Sequence, residues 1–150
     1  MENLPRRGTP LKPIVLDASA TAPWFLPDEQ TPVGDQLYAD VRSGGGIFWA
    51  PALWLWETAN ILLVAVRRGR FDADSADRAL ALLARCPIQL DAMPDAHRRA
   101  QTMRLAHVHT LSYYDAAYLE LALRLNSQLA SADRRLCEAA KSCGIPCLDL

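Results

Sequence analysis

The sequence predicts an α/β domain of three layers, α/β/α, around a central parallel sheet of four to five short strands. Three observations carry this reading. Short apolar runs alternate with helical patterns of ten or more residues, an order that needs crossover connections and therefore parallel pairing. The runs are apolar almost throughout, as strands covered on both faces are. With 150 residues and 51% hydrophobic content, the chain can fill one core but not two.

Residues 1–12 hold two prolines and three cations and no apolar run, so a flexible tail is expected there and a single domain over 13–150. Ile14-Val15-Leu16 is β-branched and stops at Asp17, which reads as the first strand. A short helix is expected from Ser19 to Phe25, stopping near Pro27. A second runs from Thr31 to Arg42 and ends in Gly44-Gly45-Gly46. Ile47 to Ala50 is the second strand, and Pro51 suits the first turn of a helix reaching Arg68, with Gly69 as its stop. Asp72, Asp74 or Ser75 opens the next helix, to Ala84. Pro87 to Leu90 is a third strand, and Pro94 to His107 is helical. Ser112 caps a helix from Tyr113 to Leu125. Gln128 to Ala130 is a fourth strand, Asp133 to Ser142 the last long helix, and Ile145 to Leu150 a terminal strand after Gly144.

Composition excludes several classes. Sixteen cations against 17 acids give a net charge of −1, which argues against a basic-tailed nucleic-acid binder but not against an enzyme with a local basic rim. The longest apolar stretch, Ile47 to Trp56, is too short to span a bilayer, and no secretion signal is seen, so a cytoplasmic protein without a membrane partner is expected. Cys86, Cys137, Cys143 and Cys147 match no zinc spacing and are expected as reduced thiols. Gly44-Gly45-Gly46 lacks the lysine and hydroxyl of a phosphate loop, and neither GxSxG nor HExxH occurs. Lys12 and Lys141 are wrongly placed for a receiver-type phosphoacceptor domain.

Four acids stand where burial should forbid them. Asp17 closes the first strand, and Asp133 follows the fourth. Glu57 lies about two turns into an apolar, tryptophan-rich helix and shares a face with Asn60, Ile61 and Val64. Asp115 shares a face with Leu111, Tyr118, Leu119 and Ala122. A lone carboxylate on an apolar face costs several kcal/mol unless paired or bound to a cation. No lysine or arginine lies three or four positions from Glu57 or Asp115. Asp17 and Asp133 also suit helix N-caps, and Asp115 a first helical turn. In a parallel sheet all four can meet at the carboxyl ends of the strands. Oxygen ligands without histidine or cysteine select Mg²⁺ or Mn²⁺. Such an ion, open to a substrate phosphate, suits phosphodiester hydrolysis.

At these residues the chain resembles the PIN domain family, and within it the VapC toxins of type II toxin–antitoxin pairs. The resemblance runs from Ile14 onward through four segments: Ile14 to Ala20, Ala50 to Asn60, Leu111 to Leu119, and Leu129 to Leu136. In the last, Ser131 stands where threonine is more usual. The resemblance implies a divalent-metal-dependent endoribonuclease acting on RNA, inhibited by a cognate antitoxin, and a homodimer. It carries over Asp17, Glu57, Asp115 and Asp133 as catalytic and metal-site acids. Ser19 and Ser131 come with them as supporting hydroxyls, and Asn60 as a residue orienting Glu57. Arg134, beside Asp133, is a candidate grip on phosphate. The competing reading is a non-catalytic PIN-like binding module.

Overall fold

The computed structural model describes residues 11–150. The expected tail at 1–12 therefore lies outside the described residues except for Leu11 and Lys12, which are exposed and irregular. Five parallel strands form one sheet: β1 (Ile14–Leu16), β2 (Phe48–Ala50), β3 (Ile88–Leu90), β4 (Gln128–Ser131) and β5 (Cys147–Asp149), in the order β3-β2-β1-β4-β5. Among the described residues seven α-helices accompany it: α1 (Ala18–Thr21), α2 (Pro32–Ser43), α3 (Trp54–Arg67), α4 (Ala73–Arg85), α5 (Ala96–His109), α6 (Tyr113–Leu125) and α7 (Arg134–Ser142). The architecture is three-layered α/β/α.

The strand order explains the layers. From β1 the chain moves outward through β2 to β3, then returns across β1 to β4 and moves outward again to β5. Parallel crossovers are right-handed, so reversing direction moves the connecting helices to the opposite face. β1 and β4 are neighbours at the reversal, with Leu16 beside Ala130. A crevice opens at the carboxyl ends of such a pair, because the helices leaving it go to opposite faces. β1 and β4 are also the most deeply buried strands, with Val15, Leu16, Leu129 and Ala130 fully enclosed. Tyr118, Leu119, Leu121 and Ala122 of α6 close over them.

Local chemistry sets the helix ends. Thr31, Asp72, Asp95, Ser112 and Asp133 each accept a hydrogen bond from a backbone N–H of the first helical turn. Gly44 ends α2 in the left-handed conformation, at φ 70°.

Four expectations are corrected. The helix foreseen from Ser19 to Phe25 is only α1, followed by 3₁₀ turns at Ala22–Trp24 and Pro27–Glu29. Pro23 has no N–H for the bond that would continue the α pattern. Pro51 is not in the first helical turn; its carbonyl accepts from Trp54 N–H and turns the chain, so α3 starts at Trp54. Glu57 consequently lies in the first turn of α3, not two turns in. The thiol expectation fails for two of the four cysteines: α7 packs on β5 and brings Cys137 and Cys147 together as a disulfide, with Cα atoms 5.6 Å apart. Cys86 and Cys143 are thiols.

Two helices end on non-glycine residues at positive φ, Asn126 at 47° and Thr110 at 54°. Asparagine tolerates this conformation, but β-branched threonine does not. Thr110 is exposed and its side chain makes no hydrogen bond among the described residues. Relief of roughly 1–2 kcal/mol of strain outweighs the extra unfolded-chain entropy of glycine, roughly 0.4–1 kcal/mol. Thr110→Gly is therefore expected to stabilise the protein by about 0.5–1 kcal/mol. Denaturant unfolding of both proteins checks this, and an unchanged or lower midpoint would contradict it.

Candidate active site

Asp17 leaves β1 at its carboxyl end and is only 4% exposed. Its backbone N–H still bonds across the ladder to Ala130 of β4. The chain then turns directly into α1, so its side chain is held in the crevice between β1 and β4. Two hydroxyls converge on one oxygen: Ser19 Oγ donates to Asp17 Oδ2 at 2.5 Å and Ser131 Oγ at 2.7 Å. Each hydroxyl in turn accepts a backbone N–H from the segment after β4. Ala132 N–H donates to Ser19 Oγ at 2.9 Å, and Asp133 N–H to Ser131 Oγ at 3.0 Å. Two amide-to-hydroxyl relays therefore end on the same carboxylate oxygen, and each link polarises the next. Both relays use Oδ2, so Oδ1 takes neither hydroxyl.

The other three acids surround this one at helix starts. Glu57 and Asp115 lie in the first turns of α3 and α6, and Asp133 caps α7 by accepting Leu136 N–H at 3.1 Å. Asp17 precedes α1 but makes no side-chain capping bond, so capping does not explain its burial. Four helix N-termini thus bring partial positive charge to the cluster. No three of the four acids bring oxygens within 4.8 Å of one another, so charge rather than contact couples them. Burial raises the Asp17 carboxyl above the usual range, against the two serine bonds, and the charge of Asp133 adds to the rise. Burial likewise raises Glu57, with Asp17 and Asp115 pushing further. Asp115 is raised by burial and then by Asp17 and Asp133. None of the four forms an ion pair among the described residues.

Glu57 is held by a residue that sequence reasoning missed in this role. Tyr118 is fully buried on α6, and its hydroxyl donates to Glu57 Oε1 at 2.7 Å. Its signal was available: it shares a helix face with Asp115, three positions on. Asn60 is exposed and gives Glu57 no hydrogen bond, so orientation of Glu57 falls to Tyr118 instead. Arg134 is exposed beside Asp133 and lines a cavity of about 380 Å³ together with Ser131, Asp133 and Lys141.

Residues 14–142 match the PIN domain family model. The chain belongs to the PIN domain family. It is similar to ribonuclease VapC3 of Pyrobaculum aerophilum, at 30% identity over 125 residues, covering 83% of this chain and 92% of the relative. Among solved structures, Pyrobaculum aerophilum PAE2754 superimposes with a TM-score of 0.68 at 22% identity, over 91% of this chain and 89% of the other. Mycobacterium tuberculosis VapC20, described as a sarcin-ricin loop cleaving toxin, gives 0.58 at 19% identity over 84% and 94%. FitAcB from Neisseria gonorrhoeae gives 0.58 at 15% identity over 91% and 96%. At these identities the structural likenesses show a shared fold for this PIN domain.

The donor set suits a hard divalent cation. It is all oxygen, it is negatively charged, it contains a carboxylate oxygen outside the serine relays, and no guanidinium or ammonium among the described residues pairs with it. Without a cation, repulsion and desolvation act against folding. For a carboxyl raised in the folded state, this cost is present at pH values above its folded-state pKa. The cost is relieved as pH falls toward the ordinary carboxylate range, where the unfolded chain also protonates. Asp115→Asn is therefore expected to stabilise the protein in chelator at pH 7, by no more than about 1 kcal/mol after allowance for solvent screening. The backbone N–H of residue 115 that bonds to Ser112 is unaffected by the change. Thermal melts at pH 7 and pH 4 check it; the gain should shrink at pH 4, and a loss of stability at pH 7 would contradict the electrostatic account.

Proposed function

We propose that this PIN domain is a Mg²⁺- or Mn²⁺-dependent endoribonuclease, the toxin of a toxin–antitoxin pair. The observation that carries the reading is the uncompensated acidic cluster at the β1/β4 crevice, with Asp17 buried at its centre. The 30% identity to a protein named a ribonuclease, over nearly its whole length, supports RNA as the substrate. Asp17 through Oδ1, with Glu57, Asp115 and Asp133, would hold the cation. When bound, the cation supplies charge neutralisation at the scissile phosphate and acidifies the attacking water. The chain supplies the rest. Ser19 and Ser131 fix the Asp17 carboxylate so that it cannot rotate away, and Tyr118 does the same for Glu57. Arg134, in the lining of the neighbouring cavity, would hold a phosphate of the bound strand.

The same reading makes the protein cytoplasmic and assigns it an antitoxin partner and a homodimeric state, as the resemblance implies. No described helix is long and apolar enough to cross a membrane. Partnership is tested by coexpression with the product of an adjacent short reading frame. Copurification and protection of the host are expected, and failure of both removes the toxin assignment while leaving the nuclease.

The mechanism is tested on single-stranded and structured RNA panels with Mn²⁺ or Mg²⁺. Asp17→Asn should lower cleavage by about a hundredfold or more, and EDTA should abolish it. Equal activity of wild type and variant, or cleavage surviving chelation, would overturn the assignment. Absence of any cleavage together with no metal uptake by calorimetry would favour the binding-module reading.

A further inference from the structure

The two helix starts that present Glu57 and Asp115 also line a second, apolar cavity of about 220 Å³. Leu53 and Trp56 come from the α3 side, and Tyr113 and Tyr114 from α6. Trp56 is 66% exposed and Tyr114 63%, although each immediately precedes an acid of the candidate active site. Met93, in the segment after β3, completes the rim and is 76% exposed.

We propose that this cavity holds one unpaired nucleobase of an RNA strand, next to the phosphate presented to the acids. The proposal rests on the nuclease reading above and adds the substrate's single-stranded character and a place where its sequence is sensed. Three features select this occupant. The cavity is smaller than the roughly 300 Å³ at which pockets begin to take drug-sized ligands, so it suits one ring system rather than a docked helix. The charged groups of its wall, Asp91, Glu120 and Arg98, are tied into ion pairs that Arg124 completes from outside the lining. Asp91 accepts from Arg98 and from Arg124, and Glu120 from Arg124, so two acids meet two guanidinium groups. A wall of paired charges under aromatic rims suits a flat uncharged ring and offers nothing extra to a phosphate. Finally, Trp56 and Tyr114 belong to the same first turns of α3 and α6 that carry Glu57 and Asp115, so the cavity and the acids share two helix starts. Stacking on exposed aromatics is a common means of holding splayed single-stranded RNA.

The test uses dodecamers of oligo(A), oligo(C), oligo(G) and oligo(U). In binding, the Asp17→Asn protein should show quenching of tryptophan fluorescence by at least one dodecamer, and Trp56→Leu in that background should remove it. In cleavage with Mn²⁺, Trp56→Ala and Tyr114→Ala should each raise KM about ten- to a hundredfold, with a smaller change in kcat. Placing an abasic ribose at single positions should reproduce the loss at one position beside the cut. Unchanged KM in both variants would overturn the proposal. So would a shift of the native mass from dimer to monomer in either variant, which would make this face a contact between two copies of the chain. If wild type cleaves nothing, the nuclease reading fails by itself, and the quenching experiment still decides whether the cavity takes a base.

Discussion

The organisation of this molecule depends on one buried carboxylate. Asp17 is almost wholly enclosed at the junction of β1 and β4, and no cation among the described residues pairs with it. Such a charge is expensive, and the surroundings are arranged to reduce its cost without removing it. Two hydroxyls donate to one oxygen, two backbone amides polarise those hydroxyls, and the start of α1 lies directly behind. These are neutral donors and dipoles. They hold the carboxylate in place and still leave its field uncancelled, which a salt bridge would not do.

Strand order is what makes this arrangement available. Only at the β1/β4 reversal do successive helices depart to opposite faces, leaving backbone N–H groups of both the Asp17 turn and the Ser131 turn at one crevice. The same reversal brings α6 across β1 and β4, so buried Tyr118 reaches Glu57 of α3. Replacing Ser131 by threonine would keep the hydroxyl of that relay, so the residue found here is chemically equivalent for the bond it makes. Site and core are consequently one structure: the helix that seals the sheet also positions an acid on each side of the crevice.

Much of this was legible in the residues, and the remainder fails for identifiable reasons. The parallel sheet and its helices follow from apolar runs and caps that act locally, such as Ser112 and Gly44. The acids stood out because glutamate among tryptophans needs an explanation that sequence can demand without supplying. Asp17 and Asp133 could not be separated, since each precedes a helix; only coordinates show that Asp133 caps and Asp17 does not. The Cys137–Cys147 disulfide depends on α7 lying against β5, a tertiary fact with no spacing signature. Tyr118 was read as an apolar face residue, and its hydroxyl partner comes from a different helix 61 positions away. Pro51 misled because a proline before a helix serves equally well in the preceding turn.

The charge balance is where local and global readings differ most. A net charge of −1 suggests acids and bases mixed over one surface, yet the structure separates them. Arg70 is bound to Asp28 and Glu29, Arg98 and Arg124 to Asp91 and Glu120, and Lys141 to Asp149. These pairings commit cations to other acids, and among the described residues the four crevice acids are left with hydroxyls and helix ends. Near-neutrality overall is therefore compatible with a strongly negative centre, because the paired groups cancel and the unpaired ones do not. Arg134 stands apart from those pairs, exposed beside Asp133. On the proposed reading, a cation there would meet an incoming phosphate while the acids keep their charge for a divalent ion. The separation of paired from unpaired groups, rather than the sum of charges, sets the field at the crevice.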